Sequence, residues 1–125
     1  MESKCRVLIA DDDEAMINLL TFMMKREGFD VIVASDGREA SRFVNTIDPV
    51  NLVVLDQLMP FKSGMLLISE IRSRKNWDDV PIIMLTSKNH ETDIVSALDS
   101  GADDYLVKPI NPKVLMARIK RYINR

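Results

Sequence analysis

Asp11-Asp12-Asp13, Asp56, Thr86-Ser87 and Lys108-Pro109 each follow directly on a short apolar run. Carboxylates brought together from two such places repel one another strongly unless a cation joins them. Mg²⁺ suits a site of this kind, because it takes oxygen ligands in octahedral geometry and keeps several waters. Asp11, Asp12 and Asp56 can supply two or three of those oxygens, and a backbone carbonyl after Asp56 can add another. A carboxylate with a metal beside it is also a nucleophile toward phosphorus. Phosphoryl transfer asks the protein mainly to position the reactants and to stabilise charge on the equatorial oxygens. The Lys108 ammonium and the Thr86 hydroxyl are groups of that sort, so nucleophile, metal acids, cation and hydroxyl donor are all present.

Each residue alone has a plainer reading. Asp is a favoured helix N-cap, and that role falls to Asp13. Asp56 could close a turn, Thr86 could cap a helix, and Lys108 could be a solvated surface lysine. What favours chemistry is place. The apolar runs Val7–Ala10, Val31–Ala34, Leu52–Leu55, Ile82–Leu85 and Tyr105–Val107 read as strands. Most of them do not alternate with polar residues, as expected of strands covered on both faces.

Between the runs lie stripes with helical spacing. They are Met16, Leu19, Leu20 and Met23; Ala40, Phe43, Val44 and Ile47; Met65–Ile71; Ile94–Leu98; and Leu115, Ile119, Tyr122 and Ile123. Gly28 and Gly101 suit left-handed C-terminal caps, and Asn111-Pro112 suits a helix start. Ser35-Asp36-Gly37 reads as a cap and turn. The order is strand then helix, five times over, which predicts a parallel sheet with helices on both faces. A closed barrel needs about eight such units. The expectation is therefore an α/β, doubly wound, open five-stranded sheet formed by one domain, residues 1–125. Sheets of this type bind ligands beyond the carboxyl ends of their strands, where strand order reverses. The four candidate features all fall at that edge.

Composition sets outer limits. The 125 residues are 46% hydrophobic and 29% charged, enough for an unstapled core. A net charge of −2 is no match for nucleic acid or an acidic membrane. Cys5 is the single cysteine, so no internal disulfide forms. No apolar run approaches the roughly 20 residues that span a bilayer. The N-terminus lacks a signal-peptide core, and the expected location is the cytoplasm. His90 reads as a surface residue, the methionines as core filler, and Trp77 as a loop residue before the fourth strand.

The assembled pattern resembles the receiver domain of bacterial two-component response regulators, over essentially the whole chain. The resemblance rests on the acids of Ala10-Asp11-Asp12-Asp13, on Asp56-Gln-Leu-Met-Pro60 with Gly64, on Pro81-Ile-Ile-Met-Leu-Thr86, and on Gly101-Ala-Asp-Asp-Tyr105-Leu-Val-Lys108-Pro109. It implies a flavodoxin-like strand order of 2-1-3-4-5 and a cis Lys108–Pro109 bond. It implies that Asp56 accepts a phosphoryl group, with Mg²⁺, from a sensor histidine kinase or a phosphotransfer protein. By the same resemblance Asp11, Asp12 and Asp56 hold the metal, completed by the backbone carbonyl of Leu58. Thr86 and Tyr105 match the family's switch pair, and Lys108 its phosphate-binding lysine. Leu58 and Lys88 match positions that influence the rate of phosphoryl loss. Phosphorylation would then reshape the surface around the fourth helix, fifth strand and fifth helix, which faces a downstream output domain or target protein. Asp103, Asp104 and Arg118 resemble residues of a phosphorylation-dependent homodimer, but Ile94 and Val114 are apolar where such relatives carry an opposite-charge pair.

Three other functions compete. A haloacid-dehalogenase-like phosphohydrolase would use the Asp-x-Asp within Asp11–Asp13, but the usual following Thr and a later acidic pair are missing. A flavodoxin-like cofactor binder needs a Ser-, Thr- or Gly-rich loop after the first strand, where three acids stand instead. A non-phosphorylated docking receiver would have no need of the full set of groups found here.

Overall fold

The structure, a computed structural model, describes residues 5–87 and 91–123, with residues 91–93 described by their helical backbone alone. Lys88 and His90 lie outside the described residues. The elements run β1 (Arg6–Ala10), α1 (Glu14–Arg26), β2 (Asp30–Ala34), α2 (Gly37–Thr46), β3 (Leu52–Asp56), α3 (Gly64–Ser73), β4 (Ile82–Thr86), α4 (Glu91–Asp99), β5 (Asp104–Val107) and α5 (Pro112–Ile123). All strands pair in parallel, in the order β2-β1-β3-β4-β5. This is the expected doubly wound sheet, with its reversal between β1 and β3.

Strand alternation divides the core in two. Val7, Ile9, Leu52, Val54, Ile83 and Leu85 pack with Leu20 and Met24 of α1 and Leu115, Met116 and Ile119 of α5. Leu8, Ala10, Val53, Leu55, Ile82 and Met84 pack with Ala40 and Val44 of α2, Leu67, Ile68 and Ile71 of α3, and Ala97 of α4. The central strands β3 and β4 are buried at every residue, whereas the edge strands β2 and β5 are mostly half-buried. The near-continuous apolar runs are thus explained by helices on both faces. Trp77 is wholly buried in the turn before β4, so it is a core residue and not a surface for partners.

The caps follow the sequence. Asp13 accepts hydrogen bonds from the Ala15 and Met16 amides, Asp36 from Glu39, and Asn111 from Lys113 and Val114. Gly28 and Gly101 have φ of 86° and 117°, values that L side chains rarely adopt. The Lys108–Pro109 peptide is cis. One refinement concerns the strand ends. Asp56 and Thr86 are the last residues of β3 and β4 and not the first residues beyond them, because the ladder continues through Gln57 N–H to Leu85 O and Lys108 N–H to Thr86 O.

Candidate phosphoryl-acceptor site

Register brings the candidate residues together. Ala10 pairs with Leu55, so Asp11 and Asp56 stand side by side one step further on. Thr86 pairs with Val107, which sets Lys108 beside the same edge. Carboxylate oxygens of Asp11, Asp12 and Asp56 all lie within 4.8 Å of one another. Lys108 Nζ sits 3.4 Å from Asp11 Oδ2 and 3.5 Å from Asp56 Oδ1. Asp11 and Thr86 are buried, Asp56 is 7% exposed, and Asp12 faces solvent.

The three consecutive acids divide their work. Asp13 turns its carboxylate back onto the first turn of α1. Its own amide donates to Asp11 Oδ1 at 2.9 Å, which fixes the Asp11 carboxylate and leaves Oδ2 toward Lys108. One ammonium therefore faces two buried carboxylates, with a third nearby. Burial, then the neighbouring charge of Asp11, pushes the Asp56 carboxyl from 3.8 up to about 6, and Lys108 offsets only part of this. Burial works against the Lys108 charge, yet Asp11 and Asp56 outweigh it and raise the ammonium above its ordinary value. The arrangement lacks positive charge, and its free donors are all oxygen, which fits a hard divalent cation.

Leu58 lies on the loop just past Asp56 and is 53% exposed, and its backbone is the least of the influences on the Asp56 carboxyl, acting to lower it. Tyr105 packs half-buried against the core beside α2, α3 and α4, and its hydroxyl donates to Gln57 Oε1 at 3.2 Å. Gln57 is a buried polar residue that the sequence reading passed over. It follows Asp56 with no spacing or motif of its own, so only the tertiary pairing with Tyr105 singles it out. Gly37 was read as a turn residue, but it also presses against the backbone of Lys62.

Comparison with known proteins gives the family. The profile of the response regulator receiver domain matches residues 7–120. The chain is 41% identical to the alkaline phosphatase synthesis transcriptional regulatory protein PhoP of Bacillus subtilis, over 96% of this chain and 49% of that protein. It is 40% identical to the DNA-binding response regulator MtrA of Mycobacterium tuberculosis, over 96% of this chain and 51% of that one. The chain thus spans about half the length of these curated relatives. Among solved structures, the receiver domain of the Francisella response regulator 1452 superposes with a TM-score of 0.89 at 32% identity, covering 98% of both chains. The receiver domain of the sensor histidine kinase PA1611 from Pseudomonas aeruginosa, which has magnesium coordinated in its active-site cleft, superposes with a TM-score of 0.87 at 27% identity, covering 98% of this chain and 100% of that one. The chain belongs to the receiver domain family of two-component response regulators. It is accordingly a signalling domain and not a conventional enzyme, and the phosphohydrolase and cofactor-binder alternatives give way. Among the described residues, no helix is long and apolar enough to cross a membrane.

Proposed function

We propose that Asp56 is the phosphoryl acceptor of this receiver, and that Asp11, Asp12, Asp56 and the Leu58 backbone carbonyl hold one Mg²⁺ beside it. The observation that carries the reading is the crowding of three carboxylate oxygens within 4.8 Å, with the Lys108 ammonium 3.5 Å from Asp56. The magnesium in the PA1611 receiver supports the choice of ion. When bound, such an ion offsets the acids and draws charge from a phosphoryl oxygen. An Asp56 carboxylate oxygen attacks phosphorus while the P–N bond of a donor phosphohistidine breaks and the imidazole leaves with the electron pair. Lys108 bonds one equatorial oxygen and the Thr86 hydroxyl another. The domain promotes only the gain and loss of its own phosphoryl group.

The new anion has more charge and more acceptor oxygens than the carboxylate it replaces. Thr86 reaches it by moving inward, and Tyr105 adjusts to the space that Thr86 leaves. The surface of α4, β5 and α5 follows, a two-state element biased by a local charge event. The phosphodonor is a sensor histidine kinase or a phosphotransfer protein, and the setting is cytoplasmic. The transcriptional roles of PhoP and MtrA support a downstream output domain or target protein as the receiver of the signal. A phosphorylation-dependent homodimer is the further partner. In this chain Asp104 pairs with Arg118 and Asp103 with Arg72, while Val95 and Leu98 of α4 and Val114 of α5 are exposed. Sedimentation with and without beryllofluoride reads the dimer directly.

Acetyl phosphate, with and without Mg²⁺, tests the acceptor. Intact mass rises by one phosphoryl group only when Mg²⁺ is present, and Asp56→Asn abolishes the gain. Equal labelling of Asp56→Asn defeats the assignment, and no labelling of the wild type would favour a docking module.

A further inference from the structure

The loop that follows Asp56 is held from outside the acidic cluster. At its start, the Gln57 amide donates to Leu85 O at 2.9 Å, which ties the loop to β4. At its end, the Gly64 amide donates to Gln57 O at 2.9 Å, and a Cβ on Gly64 would lie 2.5 Å from Asp56 O. The loop is therefore a closed ring of backbone lying directly on the acceptor residue.

Its middle is gripped by α2 and α3. The Gly37 amide donates to Pro60 O at 3.2 Å. A Cβ on Gly37 would lie 1.8 Å from Lys62 O and 2.6 Å from its carbonyl carbon. That contact is backbone against backbone, so no side-chain rotation relieves it. The Arg38 guanidinium lies 4.1 Å from the centre of the Phe61 ring. Phe61 is 71% exposed yet has φ of 73°, a left-handed conformation that is strained for a bulky residue. Such strain persists only where the surroundings impose it. One restraint is Lys62, whose Nζ lies 2.7 Å from Glu70 Oε2 and 3.0 Å from Ser41 Oγ. Glu70 also accepts from Ser41 and Asn45, both at 2.6 Å, which ties α2 to α3 beneath the loop.

We propose that Gly37 and the Lys62–Glu70 pair are positioning residues for the metal site. They hold the loop that carries Leu58 in place beside Asp56, and Mg²⁺ affinity is thereby influenced from α2 and α3. This inference rests on the reading above, in which the Leu58 carbonyl is a metal ligand. Any side chain at Gly37 must lift the Lys62 carbonyl by more than an ångström to reach an ordinary contact. A ring closed at Gly64 passes that displacement on to Leu58. Loss of the Lys62–Glu70 pair acts more gently, by letting the strained Phe61 backbone relax.

The test is calorimetric titration of Mg²⁺ into the wild type, Gly37→Ala, Lys62→Met and a control, Ile71→Val. The control removes core volume on α3 at a residue that makes none of the loop's hydrogen bonds or ion pairs described above. Gly37→Ala is expected to weaken Mg²⁺ binding by roughly tenfold, the low end for loss of a partner that orients a metal ligand. Lys62→Met weakens it less, and Ile71→Val leaves it unchanged despite a lower melting temperature. The ¹³C shift of the Leu58 carbonyl on Mg²⁺ addition shrinks in Gly37→Ala, a readout that general destabilisation does not move. Wild-type affinity in both loop variants overturns this inference and leaves the acceptor site standing. Failure of the wild type itself to bind Mg²⁺ overturns both. Should Gly37→Ala not fold, Lys62→Met decides, since removal of an ion pair 34% exposed on its lysine does not unfold the domain.

Discussion

The Tyr105 hydroxyl of β5 donates to the side-chain oxygen of Gln57, the residue immediately after Asp56, across the width of β4. The end of the proposed acceptor strand and the edge strand of the proposed output face are thereby joined by a direct bond. Gln57 is buried, so its carbonyl oxygen has limited access to water. Tyr105→Phe keeps the ring in the core and removes only the donor. The expected loss of stability is about 0.5–1.5 kcal/mol. Gln57→Leu loses a similar amount, and the double variant loses little more than either single one. Urea unfolding in EDTA measures all three. Fully additive losses would mean that the two residues do not act as a pair.

The Asp56 carboxyl predicts a pH dependence with a definite sign. Burial and the charge of Asp11 hold it near 6 in the folded chain, against 3.8 for an ordinary aspartate. Between those values the folded state binds more protons than the unfolded one, so stability falls as pH rises through the window and stays low above it. In EDTA at pH 7.5, Asp56→Asn should therefore exceed the wild type in stability. Allowing for partial solvent screening, the gain is roughly 1–2 kcal/mol. It disappears when the pH is brought below the ordinary aspartate value. Mg²⁺ narrows the gap by stabilising the wild type more than the variant. A variant no more stable than wild type at pH 7.5 would contradict the raised carboxyl.

Lys108 competes with a metal for the same two carboxylates, Asp11 and Asp56. Removing the ammonium leaves the acids with no counter-charge among these contacts. Lys108→Met is thus expected to bind Mg²⁺ severalfold more tightly by calorimetry, while acetyl phosphate labels it more slowly. The two effects run in opposite directions if, as proposed, the lysine opposes the ion in the resting site and assists the phosphoryl oxygens in the transfer. Weaker Mg²⁺ binding in the variant would show that Lys108 orders the acids more than it competes.

Much of this was legible before any coordinates. The strand runs and helix stripes define the sheet because each strand needs cover on two faces, and Asp13, Asp36 and Asn111 cap their helices by local hydrogen bonds that short-range sequence encodes. The cluster of Asp11, Asp12 and Asp56 was legible because a parallel sheet aligns strand ends. The grip of Gly37 on Lys62, 25 positions apart, was not, since a close approach between two backbones leaves no periodic trace. Gln57 was equally silent. Asp104 and Arg118 resemble residues of a homodimer, and the sequence gives no sign that Arg118 also bonds Asp104 within the chain, at 2.7 and 2.9 Å. Distance along the chain hides such pairs until the helix packs.

Leu58 supplies a last test, which separates side chain from backbone at one residue. Its backbone favours the charged form of Asp56, and the residue is 53% exposed two positions beyond the proposed acceptor. An acyl phosphate on Asp56 is lost when water attacks phosphorus in line, and a group that hydrogen-bonds this water speeds the attack. Leucine offers no such bond. Leu58→Asn should therefore shorten the lifetime of phosphorylated Asp56 severalfold, followed by intact mass after rapid removal of acetyl phosphate. An exposed substitution of this kind shifts stability by only about 0.5 kcal/mol either way, so melting temperature and Mg²⁺ affinity stay close to wild type. Should the lifetime be unchanged while both controls hold, water orientation at Leu58 is not what limits phosphoryl loss.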